Sequence, residues 1–350
     1  MSSAPAPALS VLDLVSVRTG QTSSEAIAAS LALAQRADEL GYRRYWFAEH
    51  HNMPAVASTA PPVLIAAAAA RTTRIRVGSG GVMLPNHSPL IVAEQFAALE
   101  ALNPGRIDLG LGRAPGSDPV ITQLLRQSGT TSEADRFPDN VTDILAIMSP
   151  DGATVRFTSG GEYGVRATPA AAGVPEVWLL GSSDFSAQLA ARFGLPYVFA
   201  NHFAGDGLER AMALYRSQFT PSAWLDAPRS FITANVVVAQ TEEEAERRAL
   251  PQLRQFARLR TNKPMRPLET IDEVLANPSD PMEETLVQQG RSRWFVGTAD
   301  AVADELRAFA ATHGVDEVMV SPSAGSYDAD PKDAAPGRLE TVELLAAALA

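Results

Sequence analysis

Short apolar runs rich in β-branched and aromatic residues alternate along the chain with longer stretches whose apolar positions recur every three or four residues. Residues 9–17 predict a first strand. Thr22-x-x-Glu25 then has the form of a capping box, with Ile27, Leu31, Ala34 and Leu40 at helical spacing behind it and Gly41 as the predicted stop. Residues 44–48 and 75–79 read as the second and third strands, followed by helices over 61–70 and 90–102. Residues 107–111, 177–180 and 196–200 read as the fourth, fifth and sixth, the last two leading into helices near 185–193 and 208–219. Residues 231–239 are the seventh, with Thr241-x-x-Glu244 capping the helix behind it. A helix over 300–312, stopped by Gly314, precedes an eighth strand at 317–320. Eight strands alternating with helices predict parallel β/α units, and eight is the number that closes an α/β TIM (β/α)8 barrel. An open doubly wound sheet is the alternative.

The pattern breaks twice. Residues 112–175 hold predicted helices at 119–126 and 139–148 and a possible hairpin at 155–166; residues 260–293 are rich in proline and charge. The expectation is one domain over 9–350 behind a disordered tail at 1–8, with an insertion at about 113–175 and a possible mobile lid at about 260–293.

Composition narrows the partners. The 350 residues are 46% hydrophobic and 20% charged, with a net charge of −11 and no basic stripe, which argues against nucleic acid. No cysteine is present, so a disulfide framework, a thiolate nucleophile and a Cys-ligated metal are excluded. The opening MSSAPAPA lacks a signal-peptide pattern, and the longest apolar run is far short of the ~20 residues of a membrane helix. A cytoplasmic protein without membrane contact is expected.

Candidate chemistry sits where strands end. Glu49–His50–His51 follows the second strand; adjacent strand residues face opposite ways, so the two histidines are poorly placed to share one metal, and no metal site is predicted. Buried and surface histidines with no chemistry are the plain alternative. Gly80 and Gly81, after the third strand, suit either a bend or close approach of a flat ligand. Arg113 closes a G-x-G-R that lacks the helix start of a dinucleotide fingerprint; it is an anion clamp or a surface ion-pair partner. Gly181, Ser182 and Ser183 enter a helix and can bind phosphate or simply cap it. There is no G-x-S-x-G and no second facing carboxylate for a glycosidase.

Taken in order, "WFAEHH", "VGSGGVMLP", "GRIDLGLGRAPGSDP" and "VWLLGSSDFSAQLAARFGLPYVFANHF" resemble the bacterial luciferase-like flavin-dependent monooxygenase superfamily, over roughly residues 9–325. The resemblance implies a TIM barrel with FMN at the carboxyl ends of the strands and a non-prolyl cis peptide at Gly80–Gly81 beside the ring. It implies Arg113 on the FMN phosphate, with Gly181, Ser182 and Ser183 completing that site. Glu49 would lie near the flavin and His50 would be the catalytic acid or base, with His51 facing away. The implied activity is a two-component one: reduced FMN from an NAD(P)H flavin reductase activates O2 as a C4a-peroxide and oxygenates a small organic substrate. The second and third helices would pair in a homodimer. Hydride transfer with a deazaflavin, or a non-catalytic flavin-binding subunit, are the alternatives.

Overall fold

The computed structural model describes residues 5–114, 119–127, 134–261 and 263–350. Along the chain, β1 (Ala8–Asp13), α1 (Ser23–Glu39), β2 (Arg44–Phe47), α2 (Pro61–Ala69) and β3 (Arg76–Ser79) come first. A two-residue β4 (Val82–Met83), α3 (Pro89–Leu102) and β5 (Ile107–Gly112) follow. The first predicted insertion contains α4 (Pro119–Gln127), α5 (Phe137–Met148) and the hairpin β6 (Ala153–Arg156) and β7 (Glu162–Val165). Then come β8 (Glu176–Gly181), α6 (Asp184–Phe193), β9 (Tyr197–Phe199), α7 (Leu208–Gln218), β10 (Ser230–Val238) and α8 (Glu242–Arg260). The second predicted segment contains α9 (Ile271–Ala276) and α10 (Pro281–Arg291), and the chain finishes with β11 (Phe295–Gly297), α11 (Ala299–His313), β12 (Glu317–Pro322) and α12 (Pro336–Leu349).

The pairing order β1–β2–β3–β5–β8–β9–β10–β12 runs in parallel and returns from β12 to β1, closing an eight-stranded barrel. The open sheet is excluded. Strand β2 shows why these runs look uniformly apolar: Tyr45 and Phe47 pack outward with the helix layer, while Trp46 packs inward with Trp178 and Phe231. Burial on both faces hides a period of two. The three inward rings sit 4.8–5.8 Å apart, edge to face or tilted, and fill the barrel floor.

Local signals hold where their partners are local. Thr22 and Glu25 form both bonds of a capping box. Thr241 caps α8 by accepting the Glu244 amide, but the Glu244 carboxylate pairs with Arg248 instead of returning to the cap. Gly41 and Gly314 take the left-handed conformation that ends α1 and α11.

Three elements differ from the expectation. Strand β11 is too short to carry a period and forms only because Val236–Val238 offers it an edge. Helix α12 is Leu- and Ala-rich, so it lacks a polar–apolar contrast, yet it buries Val342 and Leu345. The predicted tail reaches too far, because Ala8 already pairs in β1; its residues 1–4 lie outside the described residues, as do 115–118 and 128–133 of the insertion and 262 of the second segment. That second segment is two helices, with α10 packed along α8 and the side chains of Glu269 and Glu283 buried near Arg254 and Arg258. No helix among the described residues is long and apolar enough to cross a membrane.

Candidate active site

Parallel strands in register place their carboxyl ends on one rim. Phe47 pairs with Ser79, Gly112 with Leu180 and Gly181 with Phe199, so Glu49–His50, Gly80–Gly81, Arg113 and Ser182–Ser183 all stand at the same end of the barrel.

Glu49 is almost fully buried, and both its oxygens are engaged by protein groups. Oε2 accepts the Met83 amide at 3.0 Å; Oε1 accepts from Nε2 of His51 at 2.8 Å and of His87 at 2.7 Å. Burial raises a carboxylate's pKa, but the bonds from His51 and His87 outweigh it and bring Glu49 down to about 2. Glu49 thus ties the loop carrying His50 to the segment after β4. His51, past the end of β2, turns its ring back onto Glu49. Glu49, His51 and His87 bring three ligand atoms within 4.8 Å, a grouping invisible in the sequence spacing because His87 arrives from another loop.

His50 sits between Glu49 and His51 in the same loop. Its backbone amide bonds to the Ser58 carbonyl, its Nδ1 is buried without a partner, and burial pushes its pKa down to about 4. The ring is neutral at pH 7 and keeps one nitrogen in want of a partner.

The Gly80–Gly81 peptide bond is cis, at the expected place. The glycines answer first to their own neighbours. A Cβ on Gly81 would come within 2.8 Å of the Gly110 carbonyl oxygen, and one on Gly110 within 2.2 Å of that of Ser79. The close approach is between two strands.

Arg113 and α6 meet across the rim. The guanidinium lies 4.1 Å from the centre of the Phe185 ring in the first turn of α6. Ser183 is the N-cap residue but its side chain makes no capping bond, so the first amides of α6 lack a side-chain acceptor. A cation, free helix-start amides and two serine hydroxyls in one place are a donor set for a phosphate.

A family model described as luciferase-like monooxygenase matches residues 8–317. The chain belongs to that family. It is 43% identical over 317 residues to a luciferase-like monooxygenase of Escherichia coli K12, covering 90% of this chain and 91% of that one. It is 32% identical to N-acetyl-S-alkylcysteine monooxygenase of Bacillus subtilis, over 89% of this chain and 91% of the relative. Among solved structures, apo-MsnO8 matches with a TM-score of 0.83 at 36% identity, over 98% of each chain. Two more distant structures share the fold: the oxygenating constituent of a Pseudomonas putida 3,6-diketocamphane monooxygenase in complex with FMN (TM-score 0.68, 19% identity, 98% of each chain) and an F420-dependent secondary alcohol dehydrogenase (TM-score 0.64, 15% identity, 97% and 99%). The protein is an enzyme of the luciferase-like monooxygenase family, and a flavin-type cofactor fits the rim.

Two features of the rim escaped the sequence reading. His202 stands just past β9 and satisfies the same strand-end rule that singled out His50. Asp13, at the end of β1, forms a buried ion pair of 2.5 Å with Arg338 of α12, 325 residues away.

Proposed function

We propose that this rim binds FMN, received in reduced form from a separate NAD(P)H-dependent reductase, and that the enzyme uses it with O2 to oxygenate a small organic substrate. The observation that carries the reading is the placement of Arg113 over the uncapped start of α6. Arg113 supplies a fixed positive charge, while the α6 amides and the hydroxyls of Ser182 and Ser183 supply donors for the phosphate. Gly80 and Gly81 form the wall beside the ring, and the Glu49 ties keep that wall and the His50 loop at a constant separation. Bound flavin supplies the redox chemistry with O2. His50 holds or accepts a proton at Nδ1, which its neutral state and missing partner allow. The FMN-bound fold relative supports the cofactor, and the N-acetyl-S-alkylcysteine monooxygenase supports oxygen transfer to a small molecule.

A homodimer through α2 and α3 is part of the proposal, supported by the exposed Val63 and Ile91 on those helices. A cytoplasmic setting suits a cysteine-free chain that depends on a reductase.

The test is equilibrium binding of FMN, riboflavin and F420. A phosphate clamp predicts that FMN binds at least about tenfold more tightly than riboflavin. Equal affinity for the two would remove the role of Arg113. Preference for F420, with hydride transfer that proceeds without O2, would replace the oxygenase reading with the deazaflavin one; tight FMN binding with no turnover of aldehydes, ketones or alkyl sulfides would favour a non-catalytic subunit.

A further inference from the structure

Arg18, five residues past β1, is a buried cation without a carboxylate partner. It is 6% exposed and forms no ion pair among the described residues. Its Nη1 donates to the Tyr327 carbonyl and its Nη2 to those of Asp330 and Pro331, all in the loop between β12 and α12. Carbonyl oxygens orient a guanidinium but do not cancel its charge. Its Nε is buried and has no partner. Glu25, whose carboxylate feels the Arg18 charge, is committed to the capping box of α1. Lys332, which donates to the Gly20 carbonyl, adds a second positive charge close by. A buried charge without a counter-charge is an unfavourable arrangement.

Arg18 lines a cavity of about 30 Å³. One water needs about 10–15 Å³, so this space takes two waters or a single small ion, and no organic molecule. Its wall includes Ser16, Gln21, Gln252, Ser326 and Arg338, and no aspartate or glutamate. Arg338 is already paired with Asp13 and adds no net charge. Gln21 is engaged at both ends: Oε1 accepts the Arg18 amide and Nε2 donates to the Lys332 carbonyl. The hydroxyls of Ser16 and Ser326 and the side-chain amide of Gln252 have no partner among the described residues. The wall thus carries one uncancelled positive charge and three unmet hydrogen-bond donors.

We propose that this cavity binds a small monovalent anion of the halide class, chloride, which accepts from Arg18 Nε, the Ser16 and Ser326 hydroxyls and the Gln252 amide and cancels the Arg18 charge. Its role is structural. The loop that Arg18 holds also reaches the helices beyond it: the Tyr327 hydroxyl donates to Glu244 of α8, and the Ser326 carbonyl accepts the Ile271 amide at the start of α9. Chloride therefore strengthens the joint between the end of β1 and those two helices. The inference does not rest on the flavin reading, since Arg113 is not part of this wall.

The test uses the full chain in sodium gluconate, with sodium chloride as the probe at constant ionic strength. The thermal unfolding midpoint rises by about 2 °C or more as chloride replaces gluconate, an anion too large to enter, and bromide acts as chloride does. The chlorine-35 resonance broadens in the presence of the protein and narrows again when bromide competes. Arg113→Ala leaves both responses unchanged, which separates this site from the phosphate clamp. Arg18→Gln loses both. Because Arg18 also holds three carbonyls, a second variant guards against simple misfolding: Ser326→Asp keeps Arg18, places a carboxylate in the wall, and unfolds at the same midpoint in chloride and in gluconate. No chlorine-35 broadening, equal midpoints of the native chain in chloride and gluconate, a chloride response that survives in Ser326→Asp, or one that is lost in Arg113→Ala overturns the proposal and leaves the cavity to water.

Discussion

The two ends of the barrel are built on opposite electrostatic rules. At the amino-terminal end, the guanidinium of Arg44, 5% exposed, bonds to Asp108, Glu176 and Glu317 at 2.9 Å each and lies over the Trp178 ring. Arg76 and Arg229 complete the web on Asp108 and Glu176, and Ser10 and Trp46 donate to the same Glu317 and Asp108 oxygens that Arg44 reaches. Burial alone would lower the Arg44 pKa, yet its three carboxylates raise it. At the carboxyl-terminal end, Arg113 lies over a ring and has no carboxylate partner among the described residues, α6 starts without a side-chain cap, and burial holds His50 and His202 neutral, His50 with an unmet nitrogen. One end is satisfied internally and serves stability; the other leaves donors for something the chain does not contain.

The largest effect should come from the saturated end. Arg44→Met leaves Asp108 and Glu317 buried beside fewer cations and should cost about 3–5 kcal/mol in urea unfolding. A loss below about 1 kcal/mol would erase the contrast between the ends. The next effect belongs to the rim histidines. Both have folded pKa values of about 4 against an ordinary 6.5, so the unfolded chain takes up protons first. The stability from keeping each ring neutral is complete above pH 6.5 and is lost as pH falls toward 4, at about 2–3 kcal/mol per ring. Glu49, held near 2, adds acid sensitivity only below about pH 4.5. Denaturant midpoints from pH 7 to pH 4 should fall steeply for the native chain and more gently for His50→Asn combined with His202→Asn.

Arg113→Ala should reverse the pattern of Arg44. FMN binding weakens by about 10- to 100-fold, while stability moves by less than about 0.5 kcal/mol. A stability loss that exceeded the binding loss would class Arg113 with the other end. The smallest effect separates two helix starts. Thr241→Ala removes a working cap and should cost about 1 kcal/mol, whereas Ser183→Ala removes a hydroxyl that caps nothing and should leave thermal unfolding unchanged.

Much of the site was visible in the sequence because each of its parts sits at a strand end, and strand ends follow from a local period. The candidates His50, Gly80–Gly81, Arg113 and Ser182–Ser183 were singled out that way. His202 obeyed the same rule and was passed over because "ANHF" contains no pair of histidines or glycine cluster to draw notice. His87 could not have been found, since its bond to Glu49 spans 38 residues and two loops.

The chain by itself determined the alternation of strands and helices, the helix caps at Thr22 and Thr241, and which segments end in reactive side chains. Each depends on a residue and neighbours within one turn or one pleat, where backbone geometry alone decides who meets whom. Closure of the barrel decided the rest: Arg44 with Glu317 across 273 residues, Asp13 with Arg338 across 325, and β11 on the edge of β10. Those partners have no fixed spacing in sequence. They are selected by the curvature that brings distant strands to one rim, and no local period records it.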